Sequence, residues 1–240
     1  MPNPFPAISD NIKNINEKVK TAAVKGGRDF SDITILAASK TRSPGEILEA
    51  FNGGIKVFGE NYVQEFLPKF ELFAGYKDLR WHIIGHLQSN KVKYIIGKAD
   101  LIHSVDSVPL AKAIEKHSVS QNTATNILIE VNLANEKTKN GVTIDETYNL
   151  VKEINKFQGL RLKGLMAMPP LEKDNRKYFK SLRELLEDIN DKNIYKEKLL
   201  ILSMGTSSDF EAAIEEGATI IRLGTIIFGS RPPKTAPASR

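Results

Sequence analysis

Residues 33–58 read ITILAASKTRSPGEILEAFNGGIKVF, and the fold follows from the pattern in this stretch. A short β-branched run at 33–38 precedes a polar turn, a stretch of helical period at 44–51 and a second β-branched run at 55–58. A strand, a helix and a further strand in this order form a right-handed crossover whose strands pair in parallel. The stretch therefore predicts one βαβ unit.

The same alternation continues along the chain. Further strands are predicted at 80–84, 101–105, 126–131, 160–165, 199–202 and 219–223, and further helices near 8–25, 61–73, 88–96, 107–117, 143–156, 174–190 and 208–216. Eight strands alternating with helices favour a closed (β/α)8 barrel, or TIM barrel, which typically needs about 250 residues. A doubly wound open sheet is the alternative, but neither of its common glycine-rich phosphate motifs occurs. We predict an α/β fold with a single barrel over 1–230 and a flexible polar tail over 231–240.

The composition excludes several classes of protein. The 240 residues contain no cysteine, which excludes disulfides, thiolate nucleophiles and cysteine-ligated metals. The net charge is +5, but basic and acidic residues are interleaved as on solvated helix faces, so we do not expect nucleic-acid binding. The apolar runs are too short to span a membrane, and the N-terminus lacks the features of a signal peptide. We expect a cytoplasmic protein without a membrane partner.

In a barrel of this kind, catalytic and ligand-binding residues lie at the carboxyl ends of the strands. The first predicted strand ends in Ser39-Lys40-Thr41. A lysine just past a buried strand is partly desolvated, which lowers its pKa and makes a neutral amine available for a Schiff base with a carbonyl. A lysine that simply reaches solvent at the barrel rim is the alternative.

The turns after the seventh and eighth strands are rich in glycine and hydroxyl residues. They read Ser203-Met-Gly-Thr-Ser-Ser208 and Gly224-Thr225. A phosphate requires oriented N–H donors, hydroxyls and little steric bulk, and these two loops are the usual phosphate site of the barrel. Ordinary helix caps have a similar composition, but two such turns at the two expected strands favour phosphate binding.

The first and eighth strands of a closed barrel are neighbours, so Lys40 and this phosphate site are expected on the same part of the rim. A ligand with an aldehyde at one end and a phosphate at the other would reach both, and pyridoxal 5′-phosphate (PLP) is such a ligand. Arg222, on the eighth strand, is placed to face the ring nitrogen. An ion pair at the rim is the alternative for this arginine.

Other polar residues at strand ends carry weaker signals. His82 and His86 are four residues apart, but the residue after His82 is not the glutamate of a zinc-protease motif, so we predict no metal site. His103 is expected to be a hydrogen-bonded packing residue. Glu60 and Asp106 are candidates for a carboxylate pair, although nothing in the sequence determines their separation.

Several segments of the chain resemble the YggS/PROSC family of PLP-binding, PLP-homeostasis proteins, and the resemblance covers nearly the full length. The matching segments are Ala38-Ser-Lys-Thr41, Gly59-Glu-Asn-Tyr-Val-Gln-Glu65, Trp81-His-Ile-Ile-Gly-His-Leu-Gln-Ser-Asn-Lys91, His103-Ser-Val-Asp-Ser107, Gly164-Leu-Met166, Ser203-Met-Gly-Thr-Ser-Ser-Asp209 and Arg222-Leu-Gly-Thr-x-x-Phe-Gly229. The resemblance implies a barrel akin to the N-terminal domain of alanine racemase, with Lys40 as the Schiff-base lysine.

The resemblance also implies positions for the rest of the cofactor. It places Arg222 toward the pyridine nitrogen and the phosphate near Ser203, Ser207, Gly224 and Thr225. The predicted set of cofactor-binding residues is completed by Asn61 and Met166, which end the second and sixth strands. Thr206 and Ala38 depart from the family, in which methionine and valine are common, and we expect them to change packing without removing a contact.

PLP catalyses reactions by drawing carbanion electrons into a protonated pyridine ring. An arginine at the ring nitrogen disfavours that protonation, because two positive charges would face each other. A racemase of related fold also obtains a second base with the help of an additional domain, for which this chain has no room. We therefore predict a PLP-homeostasis protein or carrier without strong catalytic activity.

Two alternatives to the carrier stay open. One is a PLP-dependent amino-acid racemase, and the other is a phosphate-binding barrel without PLP. The expected partners of a carrier are PLP itself and PLP-dependent apo-enzymes, and we expect the protein to be a monomer.

Overall fold

The structure is a computed structural model that describes residues 7–136, 138–170, 172 and 174–230. Within these residues, eight parallel strands pair in sequence order and close into a barrel. The strands are β1 (Thr34–Ala38), β2 (Val57–Glu60), β3 (Arg80–Ile83), β4 (Leu101–Val105), β5 (Thr125–Val131), β6 (Leu160–Ala167), β7 (Ile201–Ser203) and β8 (Ile220–Leu223). The predicted (β/α)8 barrel is confirmed, and the predicted tail at 231–240 lies outside the described residues.

Helices connect successive strands. The α-helices of the described residues are α1 (Ile8–Lys25), α2 (Pro44–Asn52), α3 (Val63–Leu72), α4 (Val108–Ser120), α5 (Ile144–Ile154), α6 (Arg176–Asp191), α7 (Phe210–Glu215) and α8 (Thr225–Phe228). The helix predicted near 88–96 is instead a 3-10 helix at Ser89–Tyr94, and the chain reverses after it at Gly97, whose φ is 75°. None of the helices in the described ranges is long and apolar enough to cross a bilayer.

The amphipathic stripe of α1 is the face that packs on the rest of the protein. Ile8, Ile12, Ile15 and Val19 follow the helical period and are all buried. Their helix contacts α2, α7 and α8, which come from both ends of the chain. The first helix therefore covers the place where the barrel closes.

Closure of the barrel pairs β1 with both β2 and β8. Leu36 lies opposite Val57 on one side and opposite Arg222 on the other. Because β1 and β8 are hydrogen-bonded neighbours, the turn containing Lys40 and the turn containing Gly224 lie side by side at the carboxyl end of the barrel.

The barrel interior is filled by an apolar layer that is separate from the core under the helices. The layer consists of Leu36, Leu101, Leu128, Met166 and Ile220. Side chains two residues apart on a strand face the same side. The residues two positions further along these strands therefore form the next interior layer, which faces the carboxyl-terminal mouth.

Gly164 on β6 provides a test of this packing. A Cβ at this position would collide with the carbonyl oxygen of Ile201 on β7. We expect Gly164→Ala to lower the free energy of unfolding by about 1–3 kcal/mol, measured by urea denaturation. Gly45→Ala on α2 is the control, because the nearest atom to its new Cβ is 3.9 Å away. Equal stability of both variants and the wild type would contradict the tight packing of β6 against β7.

Candidate functional site

The interior layer that faces the mouth is polar. It contains His82 on β3, His103 on β4, Glu130 on β5, Ser203 on β7 and Arg222 on β8, and all five residues are buried. A buried polar group costs free energy unless it has a hydrogen-bond partner. The partners of these side chains therefore determine what the site can do.

Arg222 is the buried positive charge of this layer. Its Nη1 donates to Ser203 Oγ at 2.6 Å, and its Nη2 donates to the carbonyl oxygen of Ala167 at 2.8 Å. Nη2 also lies 2.8 Å from the sulfur of Met168. Burial lowers the pKa of Arg222 to about 10, against the attraction of Glu130 and Asp209. The guanidinium is therefore still protonated at neutral pH, and it can only donate.

A chain of hydrogen bonds continues from Arg222 across the barrel. Ser203 Oγ lies 2.9 Å from His103 Nδ1, and His103 Nε2 lies 3.0 Å from His82 Nδ1. Burial lowers the pKa of His82 to about 3 and holds that of His103 well below its usual range. Both imidazoles are therefore neutral at pH 7. His103 is a hydrogen-bonded packing residue, as the sequence predicts, and it links β4 to the site.

Glu130 is an ionisable group of this layer that the sequence analysis did not single out. Burial raises the pKa of its carboxyl to about 7, with a further contribution from Asp106, while Arg222 opposes the shift. The carboxyl group is therefore partly protonated at neutral pH. The alternation of side chains along the predicted strand could have indicated Glu130. Leu128 faces the interior of the barrel, so Glu130, two residues later, faces the interior as well.

Lys40 is half-buried in the turn that follows β1. The side chain of the preceding residue, Ser39, faces outward from the barrel and donates to Glu60 at 2.6 Å. Alternation then places Lys40 on the side of the mouth. The structure thus brings the predicted lysine to the rim above the layer that contains Arg222.

The turns after β7 and β8 are tied to each other. The backbone N–H of Gly224 donates to Ser207 Oγ at 3.3 Å, and Thr225 follows as the first residue of α8. Gly205 has a φ of 89°, and a Cβ there would lie 2.6 Å from the Cβ of Ala213. The turn after β7 therefore requires glycine at this position. The structure brings Ser207, Gly224 and Thr225 together at the rim.

Ser203 and Met166, two further predicted contacts, lie deeper than these turns. The hydroxyl of Ser203 is engaged by Arg222 and His103 inside the barrel. Met166 is buried in the apolar layer beneath. Met168, two residues later on the same side of the chain, is half exposed and contacts Arg222 through its sulfur.

Asn61, the remaining predicted contact, lies just after β2 at the edge of a cavity of about 450 Å³. The backbone of Asn61 packs against Gly85 and leaves no room for a side chain there. A Cβ at Gly85 would approach the carbonyl oxygen of Asn61 to 2.6 Å. The cavity is also lined by Tyr62, His86 and Lys91. This cavity thus opens beside the mouth, next to the turns that follow β2 and β3.

The weaker candidates are not brought together. Glu60 faces α3, where Lys69 Nζ lies 2.7 Å from its carboxylate, whereas Asp106 lies 3.3 Å from His86. The carboxylate pair considered from the sequence is therefore not formed. His82 contacts His103 instead of sharing a site with His86. In the part of the chain that the structure describes, no group of three or more potential His, Asp or Glu ligands could hold a metal ion.

The shifted pKa of Glu130 leads to a prediction about stability. Its native pKa of about 7 exceeds the ordinary value of 4.5. Between these two pH values the native state binds more protons than the unfolded state. The contribution of Glu130 to stability therefore falls as the pH rises from 4.5 to about 7. We expect Glu130→Gln to stabilise the protein relative to the wild type by up to about 3 kcal/mol at pH 8, and by little at pH 5. Urea denaturation at both pH values measures the difference, and a difference independent of pH would contradict the assignment.

Comparison with known proteins identifies the family. Residues 6–232 match the family model described as "Alanine racemase, N-terminal domain". A pyridoxal phosphate homeostasis protein of Aquifex aeolicus is 45% identical over 92% of this chain and 97% of its own length. The protein of the same name from Escherichia coli strain K12 is 36% identical over 93% of this chain and 97% of its own length.

Solved structures agree with these matches. PipY of Synechococcus elongatus PCC7942, a COG0325 family member solved with PLP bound, is 29% identical with a TM-score of 0.82, over 92% of this chain and all of that one. An alanine racemase of Clostridium difficile shares the fold at 14% identity, with a TM-score of 0.72, over 94% of this chain and 61% of that chain. The chain described here therefore belongs to the alanine racemase N-terminal domain family and, within it, to the pyridoxal phosphate homeostasis proteins.

Proposed function

We propose that the protein binds PLP at the carboxyl-terminal mouth of the barrel, with Lys40 holding the cofactor as a Schiff base, and that it acts in PLP homeostasis. The observation that carries the proposal is the closure of β1 against β8. This pairing sets a half-buried lysine beside a rim of hydroxyl and N–H groups, above a buried arginine. The homologous PipY structure with PLP bound supports the same ligand.

The residues present fit the three functional parts of the cofactor. The amine of Lys40 suits an aldehyde, and Ser207, Gly224 and Thr225 offer two hydroxyls and a backbone N–H to a phosphate. Arg222 offers donors toward an unprotonated ring nitrogen. When bound, PLP supplies an aldehyde that condenses with amines and a ring that accepts electrons.

Ser203, Met166 and Asn61 complete the proposed site at other depths. Since the hydroxyl of Ser203 is held by Arg222, we assign this serine to the ring end of the site, where it orients the guanidinium. Met166 supports the ring end from the apolar layer below. Asn61 is proposed to contact the cofactor from the rim, where it lines the cavity beside the turn after β2.

A carrier role is supported by the charge of Arg222. The guanidinium stays protonated at neutral pH and has only hydrogens to offer. A protonated ring nitrogen facing it would place two positive charges in a poorly screened interior. The alanine racemases among the similar structures are 13–16% identical to this chain, and this level of identity shows a common fold alone.

We further propose that 1–230 form one domain, with 231–240 as a separate tail, and that the protein acts as a monomer in the cytoplasm. PLP-dependent apo-enzymes are the proposed recipients of the cofactor. The single continuous barrel supports the first of these proposals, because its strands use the chain from Thr34 to Leu223.

Reduction with borohydride tests the covalent site. We expect incubation with PLP followed by reduction to fix the cofactor to the proteolytic peptide that contains Lys40, detected by mass spectrometry. Lys40→Ala should abolish this label, because it removes the amine that follows β1 at the mouth. Label on another lysine of the wild type, with none on Lys40, would refute the assignment.

The phosphate end has a separate test. A hydrogen bond to a charged group contributes about 1.5–3 kcal/mol, so Ser207→Ala or Thr225→Val should each weaken PLP binding about tenfold or more. We expect a larger loss in the double variant and a matching loss for inorganic phosphate as a competitor. Equilibrium titration monitored by absorbance measures the affinities. An unchanged affinity in the double variant would place the phosphate elsewhere.

A further inference from the structure

The turn that carries Lys40 is held from outside the barrel wall. Ser39 is fully buried, and its hydroxyl donates to Glu60 Oε1 at 2.6 Å. The carbonyl oxygen of Ser39 accepts from Lys69 Nζ on α3 at 2.9 Å. This carbonyl belongs to the peptide group that precedes Lys40, so α3 anchors one side of the lysine.

The peptide group on the other side of Lys40 is anchored as well. The N–H of Thr41 donates to Glu65 Oε2 at 2.8 Å. Thr41 has a φ of 64°, a left-handed conformation that is costly for a β-branched residue. Glu65 Oε2 also lies 3.8 Å from Lys69 Nζ. One buried ammonium thus connects the anchors on both sides of Lys40.

The buried ion pair in this cluster is weak evidence of a stabilising role. Lys69 Nζ and Glu60 Oε1 form a buried ion pair at 2.7 Å, and Glu60 Oε2 has no hydrogen-bond partner among the described residues. Burial raises the pKa of the Glu60 carboxyl, against the attraction of Lys69. Apolar side chains in place of a buried ion pair often give equal or greater stability. What distinguishes the cluster is that its hydrogen bonds end on the backbone around Lys40.

We propose that Glu60, Glu65 and Lys69 are positioning residues for Lys40, which fix the two flanking peptide groups so that the amine is presented to the aldehyde of the cofactor. The proposal rests on the proposed function of Lys40. The cluster lies on the helix side of the barrel wall, so it acts through the backbone of Ser39 and Thr41 and leaves the phosphate and ring contacts to other residues.

Lys69→Met tests the proposal by separating attachment from binding. Displacing a reacting group by about 1 Å can cost up to about a hundredfold in rate, so we expect PLP to attach to Lys40 about tenfold or more slowly, followed by absorbance and borohydride trapping. Binding of 4′-deoxypyridoxine 5′-phosphate, which has a methyl group in place of the aldehyde, should be unchanged. Lys69→Arg should restore much of the attachment rate, because it keeps the charge and donors.

Two further variants complete the experiment. Glu65→Ala removes the acceptor of the Thr41 N–H from a half-exposed position, so it should slow attachment in the same way without leaving an unpaired buried charge. Lys163→Met is the control, because Lys163 on β6 pairs with Glu197 at 3.4 Å away from this cluster. It should attach PLP at the wild-type rate.

The outcomes separate the two proposals. If the wild type itself attaches no PLP at Lys40, the proposed function fails. If the wild type attaches PLP and both Lys69→Met and Glu65→Ala match its rate, the positioning role is wrong. A parallel loss of PLP attachment and of 4′-deoxypyridoxine 5′-phosphate binding in both variants would also overturn it, since that result indicates a general loss of structure.

Discussion

The buried guanidinium of Arg222 is the group around which the interior of this barrel is organised. It bonds Ser203 on β7 and the carbonyl oxygen of Ala167 on β6, so it ties the last three strands together at the level of the polar layer. An unpaired charge at this depth would be very costly. The hydrogen bonds to Arg222 are therefore a condition for closing the barrel with an arginine on β8.

The two imidazoles next to this charge are neutral chiefly because they are buried. Desolvation is the main cost of protonating His103, and repulsion from His82 and Arg222 in the poorly screened interior adds to it. Arg222 donates to Ser203, and the chain of hydrogen bonds then passes through His103 to His82. One fixed cation thus starts a chain of hydrogen bonds that reaches β4 and β3, on the far side of the barrel.

The rim above this layer uses a different principle. There two turns contain a residue with a positive φ: Gly205 in the turn after β7, and Thr41 in the turn after β1. The first accepts its positive φ because it is glycine, whereas the second is a threonine whose N–H is held by Glu65. The turn after β1 is therefore held by side chains of α3.

Local periodicity was sufficient to predict the alternating strands and helices of the barrel, the apolar stripe of α1 and the position of Lys40 at the end of the first strand. These features depend on residues close in sequence, whose side chains alternate on a strand or repeat along a helix. The same periodicity was misleading at 88–96, where the segment forms a 3-10 helix that ends just before the reversal at Gly97. The small residues at 203–208 and 224–225 likewise indicated the rim turns, because glycine and hydroxyl residues are typical of turns and helix caps.

Only the tertiary structure decided which polar groups meet. His103 and Ser203 are 100 residues apart, and Ser39 is 30 residues from Lys69, so no local pattern contains either contact. The pKa of Glu130 depends on burial and on charges from other strands, which exist only once the barrel has closed. The sequence determined which residues reach the mouth, because strand alternation is a property of the backbone. Closure of the sheet decided what each of them touches, because distances across a barrel are set by the pairing of β1 with β8.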